Sequence, residues 1–378
     1  MARLRTDWIL FLTIVGLVCF GLVMVYSSSS ATAVMRYGWQ PYHFIVRQIC
    51  WAIGSLVVMM YVKRMDYRLM NSPAFAFSGL AVVLGLLVAV YFVGAKHRWF
   101  GIPGIGAIQP SEFAKPAFVL FLAYFVSRRA HIINDRSTLR QGLLAVVVLT
   151  VLVLAADLGT ALIPLLTALI VFWVAGLDWR YLIRIGAFGI VLVLIAIVHR
   201  PYRLARIVAY VDSEHTLLHK IDSSGRVERY LQGATRADPK YQARQSVIAV
   251  ASGGPLGRGL TEGRQKILFL PDPHTDFIFA TVGEELGLWG SGILLVGFLI
   301  ILWRGARLFV LARDDFGKYL ALGVTLTIVL QAFLNMSVVL DLAPTKGFPL
   351  PLISFGGSSL MSTLILLGML LSVGEHEG

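Results

Sequence analysis

Charge is what this sequence has little of. Only 14% of its 378 residues are Asp, Glu, Lys or Arg, against roughly 25% in a soluble globular domain. With 57% hydrophobic residues and a mean hydropathy of +0.76, the composition excludes a single water-facing globule and reads as a polytopic membrane protein. Cysteine is almost absent. Cys19 and Cys50 both lie in apolar runs, which excludes a disulfide scaffold and leaves them as small packing residues. No zinc-type Cys/His spacing, no Gly-x-Ser-x-Gly element and no Walker loop occurs, so zinc-hydrolase, serine-hydrolase and ATPase chemistry find no support. No cleavable signal is evident: the first apolar run, Trp8 to Tyr26, is long enough to span and lacks a small-residue cleavage site.

Acids are scarcer than bases, 21 against 33, for a net charge of +12. The Lys and Arg residues cluster in short loops between apolar runs, which is the positive-inside pattern rather than a nucleic-acid footprint, so no nucleic-acid partner is expected. At about 20 apolar residues per span, the chain divides into about ten: 8–27, 43–62, 73–94, 111–128, 141–157, 159–177, 181–199, 276–303, 317–340 and 352–373. The expected fold is a single all-α transmembrane domain, residues 1–378. Arg3, Arg5, Lys63, Arg64, Arg128, Arg129, Arg136, Arg140, Arg180, Arg184, Arg304, Arg307 and Lys318 fall on one side if both termini are cytoplasmic. The other side receives the large extracytoplasmic loop 200–275, between the seventh and eighth spans. A structureless loop of that size is uncommon and usually functional.

Polar chemistry gathers on that outer side. The segment Lys96 to Lys115 ends in Ser111, Glu112 and Lys115 at the start of a span. Glu112 and Lys115 are three apart and share a helical face. Two readings stay open there. One is a helix cap with a structural ion pair. The other has Lys115 and Arg98 meeting an anionic ligand at a helix N-terminus. In the stretch Tyr241 to Gly259, Gln242, Gln245 and Ser246 share one helix face, and the following glycines permit close backbone approach. The loop carrying Lys346 re-enters the bilayer through Pro344, Pro349 and Pro351, and Gly356-Gly357-Ser358-Ser359 then sits within a span. Small residues there serve close helix packing, or a break that lines a substrate groove.

The chain is organised around Leu270 to Gly287, where two prolines precede an apolar helix that carries acids. Asp276 is expected in its first turn, with Glu284 and Glu285 further along. A carboxylate at the mouth of a membrane helix is a cap or a working group, and ionisable groups at membrane depth are costly. Work as a general base near neutral pH would need partial burial or a low-dielectric groove. His274 is the nearest alternative base.

Taken together, these segments resemble the SEDS family, whose members are FtsW-like and RodA-like. The runs that carry the resemblance are Gly21 to Ser30, Gln109-Pro-Ser-Glu-Phe-Ala-Lys115, Asp157-Leu-Gly-Thr160, Tyr241-Gln with Gln245-Ser246, Ser252-Gly-Gly254, His274-Thr-Asp-Phe-Ile-Phe-Ala280, Glu284-Glu-Leu-Gly287 and Pro349 to Ser359. Gln265-Lys266 and Pro344-Thr-Lys-Gly347 look FtsW-like more than RodA-like. Pro271-Asp-Pro273, Phe355 and Ala155-Ala156 depart from the family's usual pattern.

The resemblance implies a peptidoglycan glycosyltransferase of the bacterial cytoplasmic (inner) membrane. It would polymerise lipid II, on undecaprenyl pyrophosphate, at the outer face during cell division or elongation. Its implied partners are lipid II, the lipid-linked glycan, membrane lipid and a cognate class B penicillin-binding protein. Asp276 is the candidate general base. Arg98, Glu112, Lys115, Gln242, Ser246, Lys266, His274, Lys346 and Ser358 are candidate substrate-binding residues. A divalent cation, Mg or Mn, is a candidate cofactor, with Asp157 and Asp276 as candidate ligands. The rival reading is a lipid II flippase, a transporter.

Overall fold

The computed structural model describes residues 6–37, 42–95, 98–102, 106–156, 158–198, 210, 239–267, 269–270, 273–344 and 347–376. Among these, the chain is a bundle of helices that take up the expected runs: α1 Trp8–Tyr37, α2 His43–Arg64, a one-turn α3 Tyr67–Met70, α4 Pro73–Val93, α5 Pro110–Arg129, α6 Arg136–Ala156, α7 Leu158–Val174, α8 Trp179–Val198, α9 Pro239–Gly253, α10 Ile278–Leu311, α11 Asp315–Val339 and α12 Gly357–His376. Among the described residues, seven helices (α1, α2, α4, α6, α10, α11 and α12) are long and apolar enough to cross a membrane, and the apolar part of α7, Gly159–Val174, is shorter. The chain is therefore a polytopic, mostly helical membrane protein. The short link between α6 and α7 agrees with a tight hairpin at 157–159, although Asp157 itself lies outside the described residues.

Local chemistry sets the helix ends. Pro73 starts α4 at a position whose N–H needs no partner, and the Ser72 side chain accepts from Phe75 N at 3.3 Å. Asp314 does the same for α11, accepting from Gly317 N at 3.2 Å. Asp135 caps α6 by accepting from Ser137 N and Thr138 N, at 2.9 and 3.2 Å. Two differences from the sequence reading matter. First, the segment before α5 is not plain loop: β1 Phe100–Ile102 pairs antiparallel with β2 Gly106–Ile108. Second, α10 begins at Ile278, so Asp276 is not in its first turn but in the turn before it.

Two apolar clusters form the core. One joins α1, α2, α9, α10, α11 and α12 around residues such as Leu10, Met24, Met59, Leu294, Phe298 and Leu364. The other joins α4 to α8 around Leu87, Phe118, Phe125, Leu149 and Phe172. Helix α5 feeds both: Val119, Leu120 and Ala123 face the first, Phe118, Phe121 and Phe125 the second. At one end of the bundle, ion pairs tie the first lobe together. Arg304 Nη2 meets Asp7 Oδ2 at 2.6 Å and Lys63 Nζ meets Glu375 Oε2 at 2.8 Å, joining the ends of α1, α2, α10 and α12. The opposite end, where α5, α10 and α12 start and α11 stops, holds the candidate site.

Candidate active site

Asp276 sits in the turn 273–277, half-buried, between α10 and the loop that leads into α12. That turn and the loop 348–356 lie side by side, and nearly every bond between them uses a backbone group. Phe355 N donates to His274 O at 2.9 Å. Ser354 Oγ donates to Thr275 O at 2.5 Å. Asn335 Nδ2, from the last turn of α11, donates both to Asp276 O at 2.9 Å and to Phe348 O at 2.6 Å. From the other side, Gln48 of α2 donates to Ser354 O at 3.3 Å and accepts from Gly356 N at 3.2 Å. Non-helical backbone at membrane depth is tolerated only where such partners replace the missing ladder. Gly347 packs so closely on the Asp276 carboxylate that a β-carbon there would overlap Oδ2. His274 is buried in an aromatic cluster, 4.7 Å from the Phe44 ring and 5.7 Å from that of Phe355. Packed rings on two sides make it part of the wall rather than a mobile base.

The Glu112–Lys115 pair forms as the spacing predicted, but its ammonium is not offered to a ligand. Lys115 is 2% exposed. Its Nζ donates to Glu112 Oε2 at 2.7 Å and to Gln331 Oε1 at 2.8 Å. Of the two readings left open, the geometry is that of the structural ion pair. A buried ammonium needs its charge matched by a neighbour, and Glu112 on the same face supplies it. Arg98 lies nearer the surface, with its guanidinium 5.5 Å from the Trp99 ring centroid. With the Gln109 amide turned so that its oxygen faces Arg98, the orientation its neighbours require, Nε and Nη2 of Arg98 donate to it at 3.1 and 3.3 Å. Ser358, at the start of α12, accepts from Gln109 N at 3.1 Å, so its hydroxyl fastens α12 to the strand β2 and α5. Gly357 before it abuts the Trp51 indole, which is the close-packing role.

Lys266 is likewise enclosed. It pairs with Glu285 at 2.5 Å, and Nζ also donates to Ser27 O at 3.0 Å. Glu285, 0% exposed, accepts from Ser27 Oγ at 2.5 Å and Thr261 N at 3.2 Å. Glu284 accepts from Arg264 N and Gln265 N at 2.7 and 3.1 Å. The two acids thus anchor the glycine-rich loop to α10. Where they do so, α10 kinks at Gly287, at φ 62° and ψ −152°. The kink costs the helix the bonds from Leu288 N and Trp289 N to the carbonyls of Glu284 and Glu285. The loop replaces both: Leu288 N donates to Gly254 O at 3.0 Å and Trp289 N to Pro255 O at 3.4 Å, while Arg258 N and Gly259 N donate to Glu284 O and Glu285 O, each at 3.0 Å.

Ser246 is fully buried, and its hydroxyl donates to Ala243 O and Val339 O, each at 2.8 Å, so it joins α9 to α11 and faces no ligand space. Gln242, one turn earlier, is half-buried. Lys346 and Asp157 lie outside the described residues. Among the described residues no three His, Cys, Asp or Glu side chains converge as a metal site. Asp276, Gly347 and the 348–356 loop are the residues the structure brings together at the candidate site, while Arg98 bonds at the start of α5. The sequence reading missed Gln48, Gln331, Asn335 and Ser354. Gln331 and Asn335 are isolated polar residues four apart in an apolar run, which was the available signal; Gln48, next to Arg47, and Ser354, in a loop, carried none.

The family model described as a cell cycle protein, FtsW/RodA/SpoVE, matches residues 7–378. The chain belongs to the FtsW/RodA/SpoVE family. A relative from Geobacter sulfurreducens, named probable peptidoglycan glycosyltransferase FtsW, is 37% identical over 98% of this chain and 95% of its own length. The stage V sporulation protein E of Bacillus subtilis is 33% identical over 98% of this chain and 97% of its own. Among solved structures, a chain from a peptidoglycan synthase complex that coordinates polymerisation and crosslinking superposes with a TM-score of 0.74 at 26% identity, covering 99% of both chains. The rod shape determining protein RodA of Thermus thermophilus shares the fold, with a TM-score of 0.66 at 23% identity, covering 98% of this chain and 97% of its own. The FtsW/RodA/SpoVE membership is what the motif order implied, and the FtsW-like character agrees with the name of the Geobacter relative.

Proposed function

We infer that this chain is a peptidoglycan glycosyltransferase of a bacterial cytoplasmic membrane. The single observation that carries this reading is the near full-length similarity to relatives named for that activity. In the finer picture the chain has about ten spans and two cytoplasmic termini, with the site end of the bundle at the outer face. Residues 1–378 form one transmembrane domain, of which 200–275 is the large extracytoplasmic segment. The substrate is lipid II, and the working assembly includes a class B penicillin-binding protein that crosslinks the glycan.

The reaction joins the acceptor sugar's 4-hydroxyl oxygen to the donor's anomeric carbon as the bond to the lipid pyrophosphate breaks. The hydroxyl proton must leave, and the Asp276 carboxylate takes it. Half-burial beside Gly347 limits the water around that carboxylate, which suits a base better than a solvated helix cap would. The leaving pyrophosphate departs with negative charge. Arg98, half-buried above the start of α5, and Lys346, next to Gly347, are the cations best placed in sequence to meet it. Lys115 and Lys266, both ion-paired inside the bundle, hold the walls. A divalent cation would supply countercharge to a pyrophosphate, but the described residues offer it no three-ligand set, and no step here runs through one.

The test is polymerisation of purified lipid II by this protein with its penicillin-binding protein. Asp276→Asn is expected to lower the rate by about 10²–10⁴-fold, the usual contribution of a positioned base, with the complex intact. Equal polymer from both would remove Asp276 as the base. Wild-type protein that moves lipid II across vesicles but makes no polymer would favour the flippase.

A further inference from the structure

Asn335 stands at the last turn of α11, 1% exposed. Its single amide nitrogen donates to two carbonyls from different parts of the chain, Asp276 O at 2.9 Å and Phe348 O at 2.6 Å. Those carbonyls flank the close contact between the Asp276 carboxylate and Gly347. One turn back on the same helical face, Gln331 accepts from Lys115 Nζ and donates to Pro349 O, both at 2.8 Å. The result is a continuous polar ladder: Glu112, Lys115, Gln331, the 348–349 backbone, Asn335, Asp276. Each rung is a short directional bond in an apolar bundle, where it is stronger and more costly to break than in water.

We propose that Asn335 is the positioning residue of Asp276, setting the distance between that carboxylate and the loop at 347–348. The proposal rests on Asp276 acting as the general base. Both of Asn335's contacts need a donor, so a carboxylate at 335 would face two carbonyl oxygens, and an apolar side chain would release both segments. A base displaced by about 1 Å loses on the order of 10²-fold in rate. The lipid and pyrophosphate parts of the substrate would be gripped as before.

The experiment compares wild type, Asn335→Leu, Asn335→Asp, Gly347→Ala, Thr327→Val and Asp276→Asn in the lipid II polymerisation assay, as full-length chain in complex with the penicillin-binding protein. Gly347→Ala approaches the same carboxylate from the other side, and remains informative if the Asn335 variants fold poorly. Thr327→Val is the control: its hydroxyl donates within α11 to Gly323 O and points toward α7. The Asn335 and Gly347 variants are expected to lose about 10–10² in kcat, with KM for lipid II within about 3-fold. The acid limb of their kcat–pH profile should shift by about half a unit or more, because a displaced carboxylate has new surroundings. Thr327→Val should match wild type. A drop in kcat with KM and the acid limb both in place would mean fewer active molecules, a merely structural role, and would overturn the proposal. So would wild-type kinetics in the Asn335 variants while Asp276→Asn is inactive, an outcome that leaves the base assignment standing. Full activity in Asp276→Asn would instead remove the base, and the positioning role with it.

Discussion

The bundle breaks helical regularity in two places near the site, and it repairs them differently. At Gly287 the lost backbone bonds are replaced by backbone: residues 254–259 supply two donors and two acceptors to the open turn of α10. At 348–356 the loose backbone is held largely by side chains, with Gln48, Gln331, Asn335 and Ser354 bonding the carbonyls and N–H groups of the loop and of the 274–276 turn. Backbone repair requires close approach, hence glycine, and tolerates almost no change. Side-chain repair is spread over several residues and can be altered one bond at a time. The first is suited to a fixed frame, the second to setting the geometry around Asp276.

The largest effect should come from closing the space at the kink. At Gly287→Val, the β-carbon would run into Gly257 N and the carbonyl oxygens of Gly254 and Pro255, at a positive φ. Backbone strain alone costs about 1–3 kcal/mol, and the overlap adds to it. Loss of monodisperse protein on fluorescence-detected size exclusion is the expected outcome, and wild-type yield would show that the backbone repair is dispensable. Next comes the ion pair beneath it. Lys266→Met leaves Glu285 buried without its partner, which should cost about 3–5 kcal/mol. The double variant with Glu285→Gln should recover part of this, as read from thermal midpoints in detergent. Midpoints that add independently would argue that the pair does not act as a unit.

A smaller loss is expected on the side-chain-repaired side. Gln48→Leu leaves Ser354 O and Gly356 N without that partner, at about 1–3 kcal/mol. Polymerisation should fall more than the midpoint does, since the loop flanks Asp276. An equal fall in both would erase the contrast between the two repairs. The smallest effect lies outside both. Asp341, just after α11, has a left-handed φ of 58°, and burial raises its carboxyl pKa above the ordinary value. A raised pKa means the folded state disfavours the ionised form, so the penalty exists above that pKa and vanishes as pH falls below the unfolded value. Asp341→Asn, neutral and tolerant of positive φ, should therefore raise the thermal midpoint slightly at pH 7 and leave it unchanged near pH 3.

The sequence was legible where periodicity and length decide. The apolar runs became helices in order. Glu112 and Lys115 were visible as a pair because helical geometry alone puts them together. Their burial was not, because it depends on Gln331, a residue 216 positions away. For the same reason Lys266 read as a cation for a ligand until Glu285 and Ser27 closed around it. The first turn assigned to Asp276 was a boundary error. Among the described residues no side chain caps the start of α10, and the turn at 273–277 is held largely by Asn335 and the 348–356 loop, segments distant in the chain.

By itself, the sequence determined a membrane-embedded helical bundle, the order of its helices, its family through ordered motifs, and the acid at the mouth of α10. These follow from composition, from spacing along one helix and from motif identity, all properties of short stretches. Only the tertiary structure decided which lysines are spent on buried partners, how the kink at Gly287 is satisfied, and what holds Asp276. Each of those turns on backbone and polar groups that must find partners away from water, and the partners come from segments distant in the chain.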